Sequence, residues 1–180
     1  MKIKVVLFLL LISGNISAQR LISKTGHVWF YSHTAIEDIE AHNNQSVSIL
    51  DPQTGDIQFS LLIKSFEFKV ALMQEHFNEN YMESDEYPKA GFKGKITNID
   101  QINFKKDRVY KATVTGQLTI HGVTKDMTTE GTIEIVKGKV TAKAKFTVSP
   151  SDFNIVIPSL VENKIAKTLE VNVEAEYEKS

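Results

Sequence analysis

Alternation of apolar and polar residues is the feature of this sequence that most constrains its fold. It is clearest over residues 169–178, where acidic and amide side chains occupy every second position. The intervening apolar positions are Leu169, Val171, Val173, Ala175 and Tyr177. A period of two places these side chains on one face of a β-strand and leaves the other face in water. Such strands are typical of antiparallel sheets, so the pattern predicts an all-β fold.

The same alternation recurs in three earlier segments of the chain. The apolar positions there are Ile57, Phe59, Leu61 and Ile63; Tyr110, Ala112, Val114, Gly116, Leu118 and Ile120; and Val140, Ala142, Ala144, Phe146 and Val148. Shorter candidate strands cover residues 28–32, 46–50, 90–99 and 127–136, and turn signals such as Lys137-Gly138 separate them. We therefore predict about eight antiparallel strands within one domain.

An apolar face on every strand has to be covered, and two architectures achieve this. Eight tilted strands can close into a barrel whose interior holds side chains or one small ligand. A sandwich of two sheets accounts for the same alternation. We favour an eight-stranded antiparallel barrel.

Residues 71–82 depart from the alternation of period two. Leu72, Met73, His76 and Phe77 recur at spacings of three and four, which predicts a short amphipathic helix between strands. Its apolar face can cap the core or form part of a ligand pocket, and the two roles are compatible.

The first 18 residues have the pattern of a secretory signal peptide. Lys2 and Lys4 precede eight consecutive apolar residues at positions 5–12, and Ile16-Ser17-Ala18, with small residues at 17 and 18, suits a cleavage site. This apolar run is shorter than the roughly 20 residues that a membrane-spanning helix needs; an uncleaved anchor and a buried strand are the alternatives. We expect cleavage after residue 18, with residues 19–180 forming a periplasmic or secreted domain.

Composition excludes several classes of function. The chain has 21 basic and 22 acidic residues and a net charge of -1, which argues against nucleic-acid binding. It has no cysteine, which excludes disulfides, a thiolate nucleophile and the lipid anchor of bacterial lipoproteins, so we expect no stable membrane anchor. Lysines alternate with phenylalanines at 66–69 and 92–95; that mixture can stack bases, but core packing on one face explains it better.

The sequence offers no clear catalytic centre. His33 and His42 flank three acidic residues, but their spacing matches no established metal-ligand pattern, so we expect a solvated acidic loop. No Gly-x-Ser-x-Gly nucleophile motif is present. We therefore predict a protein without enzymatic activity. Two alternatives stay open: a hydrolase or isomerase with His33 and Glu37 at a barrel mouth, and a barrel packed solid with aromatic rings that serves a structural or partner-binding role.

Three segments resemble the YceI-like proteins, a lipocalin-like family of exported polyisoprenoid-binding barrels. Residues 116–125 (GQLTIHGVTK) look like the family's strand–turn signature. His76, Tyr81-Met82, the run 86–88 (EYP) and the run 92–94 (FKG) are similar to its passage from helix to strand. Residues 151–155 (SDFNI) resemble its Asp-Phe-Gly-Ile turn, with Asn154 in place of glycine. Asparagine also accepts left-handed backbone geometry. Residues 35–42 are more acidic than is usual in the family.

The resemblance implies an eight-stranded barrel around a long apolar channel that takes an isoprenoid or quinone-type lipid. It implies no metal and no covalent cofactor, and it makes a homodimer possible. Alternation and resemblance together nominate ten ligand-binding residues: Trp29, Phe59, Leu61, Phe68, Met73, His76, Phe77, Phe92, Val114 and Leu118. His76 and His121 can fix a polar headgroup, although turn stabilisation is the alternative role for His121.

Overall fold

A computed structural model describes residues 20–179, which contain nine β-strands and one short α-helix. The elements are β1 Leu21–His33, β2 Asp38–Leu50, β3 Asp56–Leu62, β4 Glu67–Phe68, α1 Ala71–His76, β5 Lys89–Ile96, β6 Arg108–Ile120, β7 Val123–Val136, β8 Lys139–Val148 and β9 Leu169–Lys179. Every strand pairing is antiparallel. The signal peptide predicted over residues 1–18 lies outside the described residues.

Eight of these strands close into a barrel. Their order around the sheet is β1-β9-β8-β7-β6-β5-β3-β2, and a direct pairing of β1 with β2 joins the two ends. The two-residue strand β4 is additional and pairs with β2, where Phe68 lies opposite Ala41. The prediction of an eight-stranded antiparallel barrel with a short helix is confirmed, and the sandwich alternative is wrong.

Strands β1 and β2 are longer than the sequence predicted. Each has 13 residues, whereas the alternation indicated only residues 28–32 and 46–50. The difference arises because their inward positions carry small polar residues that no hydrophobic pattern can reveal. These fully buried residues are Ser23, Ser32, Asn43, Ser46 and Ser48.

The helix predicted over residues 71–82 consists of two parts. The α-helix α1 is followed directly by a π-helical turn, Phe77–Tyr81. The Asn78 side chain donates to the Gln74 carbonyl at 3.0 Å across the junction. The Phe77 ring anchors the segment, because it lies 5.6 Å from the Phe30 ring and 5.0 Å from the Phe68 ring, measured between centroids.

The barrel has two different ends. The helix end carries α1, the β6–β7 turn at His121-Gly122, the 3-10 turn Pro150–Phe153 and the connection 154–168. The far end carries the β2–β3 and β7–β8 turns. Its interior is filled by a far-end cluster of almost fully buried residues, namely Leu50, Ile57, Ile96, Ile133 and Ile135.

A buried hydrogen bond near the far end links the last strand to β2. The Tyr177 hydroxyl lies 2.6 Å from Ser48 Oγ, and both residues are buried. Replacing Tyr177 by phenylalanine leaves the Ser48 hydroxyl without a partner. We expect Tyr177→Phe to lower the free energy of unfolding by about 1–3 kcal/mol, measured by urea denaturation.

The double variant Tyr177→Phe/Ser48→Ala is the control for that prediction. It removes both polar groups together, so its loss of stability should be smaller than the sum of the two single losses. Strict additivity would show that the two hydroxyls do not interact.

The same burial predicts an alkaline transition. Burial raises the pKa of Tyr177 far above its ordinary value, and the hydrogen bond to Ser48 only partly opposes this. A raised pKa keeps the native phenol neutral, so stability is complete below the unfolded value of about 10 and falls as the pH rises above it. In a tyrosinate absorbance titration of the folded protein, one tyrosine should stay un-ionised until unfolding. The Tyr177→Phe variant should lose that delayed step.

Candidate functional site

An apolar cavity of about 210 Å³ lies inside the barrel. All eight barrel strands contribute to its wall, and Phe153 and Ile155 extend the wall at the helix end. The alternation explains its character, because the inward positions of β6, β8 and β9 are almost all apolar. The interior of the barrel is therefore not packed solid.

Small residues and aromatic rings share this wall. Gly94 and Gly116 lie opposite each other on β5 and β6, and the Phe92 ring covers both. A Cβ atom built on Gly116 would lie 2.7 Å from that ring and 2.4 Å from the Lys93 carbonyl oxygen. The two glycines therefore allow a large ring to lie flat against the wall instead of filling the cavity.

Six of the ten predicted ligand-binding residues line the cavity. They are Phe59, Leu61, Phe77, Phe92, Val114 and Leu118. Five of them occupy inward positions of β3, β5 and β6, and Phe77 begins the π-helical turn. Their contact with a ligand stays a prediction.

Trp29 does not line the cavity, so its assignment to the tunnel wall needs correction. Val28 and Phe30 point inward from β1, which places Trp29 between them on the outer face. There its ring stacks on the His27 ring, with centroids 4.3 Å apart. The error arose because the sequence alone did not fix which face of β1 is buried.

Phe68, Met73 and His76 also lie outside the cavity wall. Phe68 packs behind the wall, where its ring centroid lies 5.9 Å from that of Phe30. Met73 is only half-buried and His76 is exposed, because α1 lies on the surface of the barrel. From this helical segment, Phe77 and Met82 reach the cavity.

Several residues that line the cavity were not among the ten predicted ligand-binding residues. Examples are Val28, Phe30, Ser46, Phe66, Met82 and Phe153. Ser46 had one signal in the sequence, since it is in phase with the inward position Leu50. Phe66, Met82 and Phe153 lie outside strands, so no period could indicate their direction.

The outer face of β1 and β2 carries paired histidines. His27 Nε2 lies 2.9 Å from His42 Nδ1, and His42 Nε2 lies 3.3 Å from a Glu40 carboxylate oxygen. Burial, and then the charge of His42, lower the pKa of His27, while Glu174 opposes them. This arrangement is held on the outside of the barrel, away from the cavity.

The residues of the alternative catalytic centre, His33 and Glu37, have different ion-pair partners. His33 Nδ1 lies 2.5 Å from Asp38 and lowers the pKa of that exposed carboxyl group. Glu37 instead faces Lys164 at 3.9 Å. Within residues 20–179, no three acidic or histidine side chains are grouped to hold a metal ion. No helix in that range is long and apolar enough to cross a membrane.

His121 ties three segments together at the helix end. It has a φ of 50° and Gly122 has a φ of 72°, as a tight two-residue hairpin turn requires. Its Nδ1 donates to the Phe153 carbonyl at 3.2 Å, and its Nε2 lies 2.9 Å from Glu83. Asn154 follows with a φ of 57°, so asparagine does adopt the left-handed geometry expected at this position. His121 thus stabilises a turn.

Solved structures with the same fold include three that cover most of this chain. A polyisoprenoid-binding domain from Saccharophagus degradans matches with a TM-score of 0.78 at 14% identity, over 91% of this chain and 99% of that one. BcnA from Burkholderia cenocepacia matches with a TM-score of 0.70 at 17% identity, over 86% and 96%. A YceI protein from Campylobacter jejuni matches with a TM-score of 0.63 at 21% identity, over 82% and 90%. At these identities the likeness establishes the fold.

Sequence comparison identifies the family. No curated protein matches this sequence significantly. The family model for the YceI-like domain, however, matches residues 20–177, which include strands β1 to β8 and β9 as far as Tyr177. The chain therefore belongs to the YceI-like family.

Proposed function

We propose that this protein is an exported, non-enzymatic binding protein that sequesters or carries a polyisoprenoid or related lipid inside its barrel. The observation that carries the proposal is the cavity inside the barrel with an almost wholly apolar wall. Apolar cavities with few polar groups are the usual form of small-molecule sites. The S. degradans domain of the same fold is described as polyisoprenoid-binding, which supports this class of ligand.

Burial of the apolar surface of the ligand can supply the binding free energy without any catalytic step. Each buried CH₂ group contributes about 0.8 kcal/mol, so a five-carbon isoprene unit contributes about 4 kcal/mol. Association costs about 4–15 kcal/mol in lost freedom of motion. Several isoprene units therefore have to be buried before binding becomes tight, which favours prenyl chains over small apolar solutes.

The size of the cavity sets a condition on the ligand. Its volume of about 210 Å³ is below the ~300–1,000 Å³ of typical ligand pockets. A long prenyl chain has to displace lining side chains such as Phe59 and Leu118, or leave part of its length outside. In the second case, only one portion of the lipid chain is bound inside the cavity.

The amino-terminal sequence supports an exported location. Residues 1–18 have the basic, apolar and small-residue regions of a signal peptide. The mature chain has no cysteine for a lipid anchor. The lipid would be held inside this periplasmic or secreted protein and would not be attached to it.

The first test is the chemical content of the purified protein. Extraction with organic solvent followed by mass spectrometry should release a prenyl lipid in a stoichiometric amount. A protein that is consistently empty, and that also fails to bind added prenyl lipids, would contradict the proposal.

A second test fills the cavity from its wall. Ala144 points inward from β8, and Thr147 on the same strand is exposed. Ala144→Phe should weaken binding of farnesol, a short prenol, by about tenfold or more in calorimetric titration, because the ring occupies the ligand's space. It should also cost about 1–3 kcal/mol of stability through overpacking.

Thr147→Phe is the matched control for this test. It adds the same ring to the outer face of the strand, so farnesol affinity should stay that of the wild type. Equal binding by both variants would place the lipid outside the cavity.

A further inference from the structure

A buried hydroxyl without a partner lies in the wall of the apolar cavity. Ser46 is 0% exposed, and its Oγ makes no hydrogen bond within residues 20–179. Ser46 is also one of the residues that line the cavity. Because buried polar groups in folded proteins are almost always hydrogen-bonded, this hydroxyl requires an explanation.

The local backbone holds the hydroxyl in place. The β1–β2 register is irregular on both sides of Gly26, which pairs with Ser46. A Cβ atom on Gly26 would lie 2.4 Å from Ser46 Oγ, so glycine leaves the space that the hydroxyl occupies. The sheet therefore accommodates a polar side chain at an inward position, whereas most inward residues of the other strands are apolar.

Other buried hydroxyls near Ser46 differ from it. Ser23 Oγ on β1 is also buried without a partner among the described residues, but Ser23 does not line the cavity. The Ser48 hydroxyl, two residues further along β2, is paired with Tyr177. Thr129 also lines the cavity, but its hydroxyl has the carbonyl oxygens of Glu130 and Lys145 at 3.4 Å. Ser46 is thus a residue of the cavity wall whose hydroxyl has no partner within residues 20–179.

Ser46 is the described residue of β2 that lines the cavity. Beyond it along β2 come Ser48, with its bond to Tyr177, and Leu50 of the far-end cluster. On other strands, Ile57, Ile96 and Ile133 of the far-end cluster also line the cavity, so a ligand oxygen that reached Ser46 would lie inside the barrel beside β2.

The wall offers nothing to neutralise an anion at that depth. Among the described lining residues the only cation is Lys143, and its Nζ lies 3.2 Å from Glu174 on the outer face. Burying a phosphate there without a partner would be strongly unfavourable. The ligand oxygen to which the Ser46 hydroxyl can donate is therefore that of a neutral group.

We propose that Ser46 is a specificity-determining residue that hydrogen-bonds a hydroxyl or carbonyl oxygen of the ligand. The barrel would then select neutral, oxygen-bearing isoprenoid lipids over both pure hydrocarbons and phosphorylated prenyl chains. This inference rests on the proposed function, since it requires a lipid in the cavity.

Three test lipids with the same prenyl chain separate these classes. Calorimetric titration of the wild-type protein should give a farnesol affinity about three- to tenfold above that of farnesene, which lacks the hydroxyl. Farnesyl phosphate should bind more weakly than farnesol. In Ser46→Ala the preference for farnesol over farnesene should disappear, while farnesene affinity stays the same.

Thr129→Val is the matched control, because it removes a lining hydroxyl that already has backbone partners. It should keep the preference for farnesol. Ser46→Ala should also unfold at the same temperature as the wild type or higher, since it removes an unpaired buried group. The comparison of lipids on the wild type requires no variant, so it tests the inference even if a variant folds poorly.

The outcomes distinguish this inference from the proposed function. Binding of farnesol and farnesene with equal affinity, or a preference that survives in Ser46→Ala, would overturn the role of Ser46 and leave lipid binding intact. A water molecule bound to Ser46 in a crystal structure of the farnesol complex would also overturn it. Failure of all three lipids to bind would contradict the proposed function itself, and with it the role of Ser46.

Discussion

Pairing of β1 with β2 closes the sheet, and the rest of the molecule depends on that closure. Without it, both strands would expose unpaired backbone groups, and the inward faces of eight strands would have no common interior to share. Closure is achieved although the register is irregular around Gly26. The same irregularity allows small polar residues to point inward. The β1–β2 pairing that completes the barrel therefore also supplies polar atoms to its interior.

The cavity results from how side-chain volume is distributed along the barrel. At the far end, branched residues such as Leu50 and Ile135 are almost fully buried in one cluster and do not line the cavity. Toward the middle, small residues such as Ala112, Gly131 and Ala144 line the interior instead, and the opposite walls no longer touch. Phe30, Phe66 and Phe77 then narrow the interior again near the helix end. A change of residue size along each strand therefore shapes a binding space in a fold that could otherwise be packed.

The sequence predicted the direction of side chains most reliably where hydrophobic burial alone determines it. Strands β6, β8 and β9 alternate strictly, because hydrophobic burial alone determines which way their side chains point. In β1 and β2 several inward positions are held by glycine and serine, so hydrophobic alternation does not identify the buried face, and Trp29 faces outward against expectation. For the same reason, the sequence did not predict Ser46 as a residue of the cavity wall. Phe66 and Phe153 belong to turns, whose directions depend on contacts formed only after the barrel closes.

The short strand β4 has a consequence for how stability is distributed around the barrel. Strands β6 and β7 are joined over 13 residue pairs, whereas β4 covers β2 over only two. Beyond the end of β3, the wall beside β2 is held by β4, by the aromatic contacts of Phe77 and by the bond from Asn43 to the Leu62 carbonyl at 2.9 Å. Local opening has the lowest free energy where the fewest backbone bonds have to break. Local stability therefore differs around the barrel. Amide protons of β4 and α1 should exchange with solvent long before those of β6 and β7. The wall next to the helix can open locally while the remainder of the barrel stays folded.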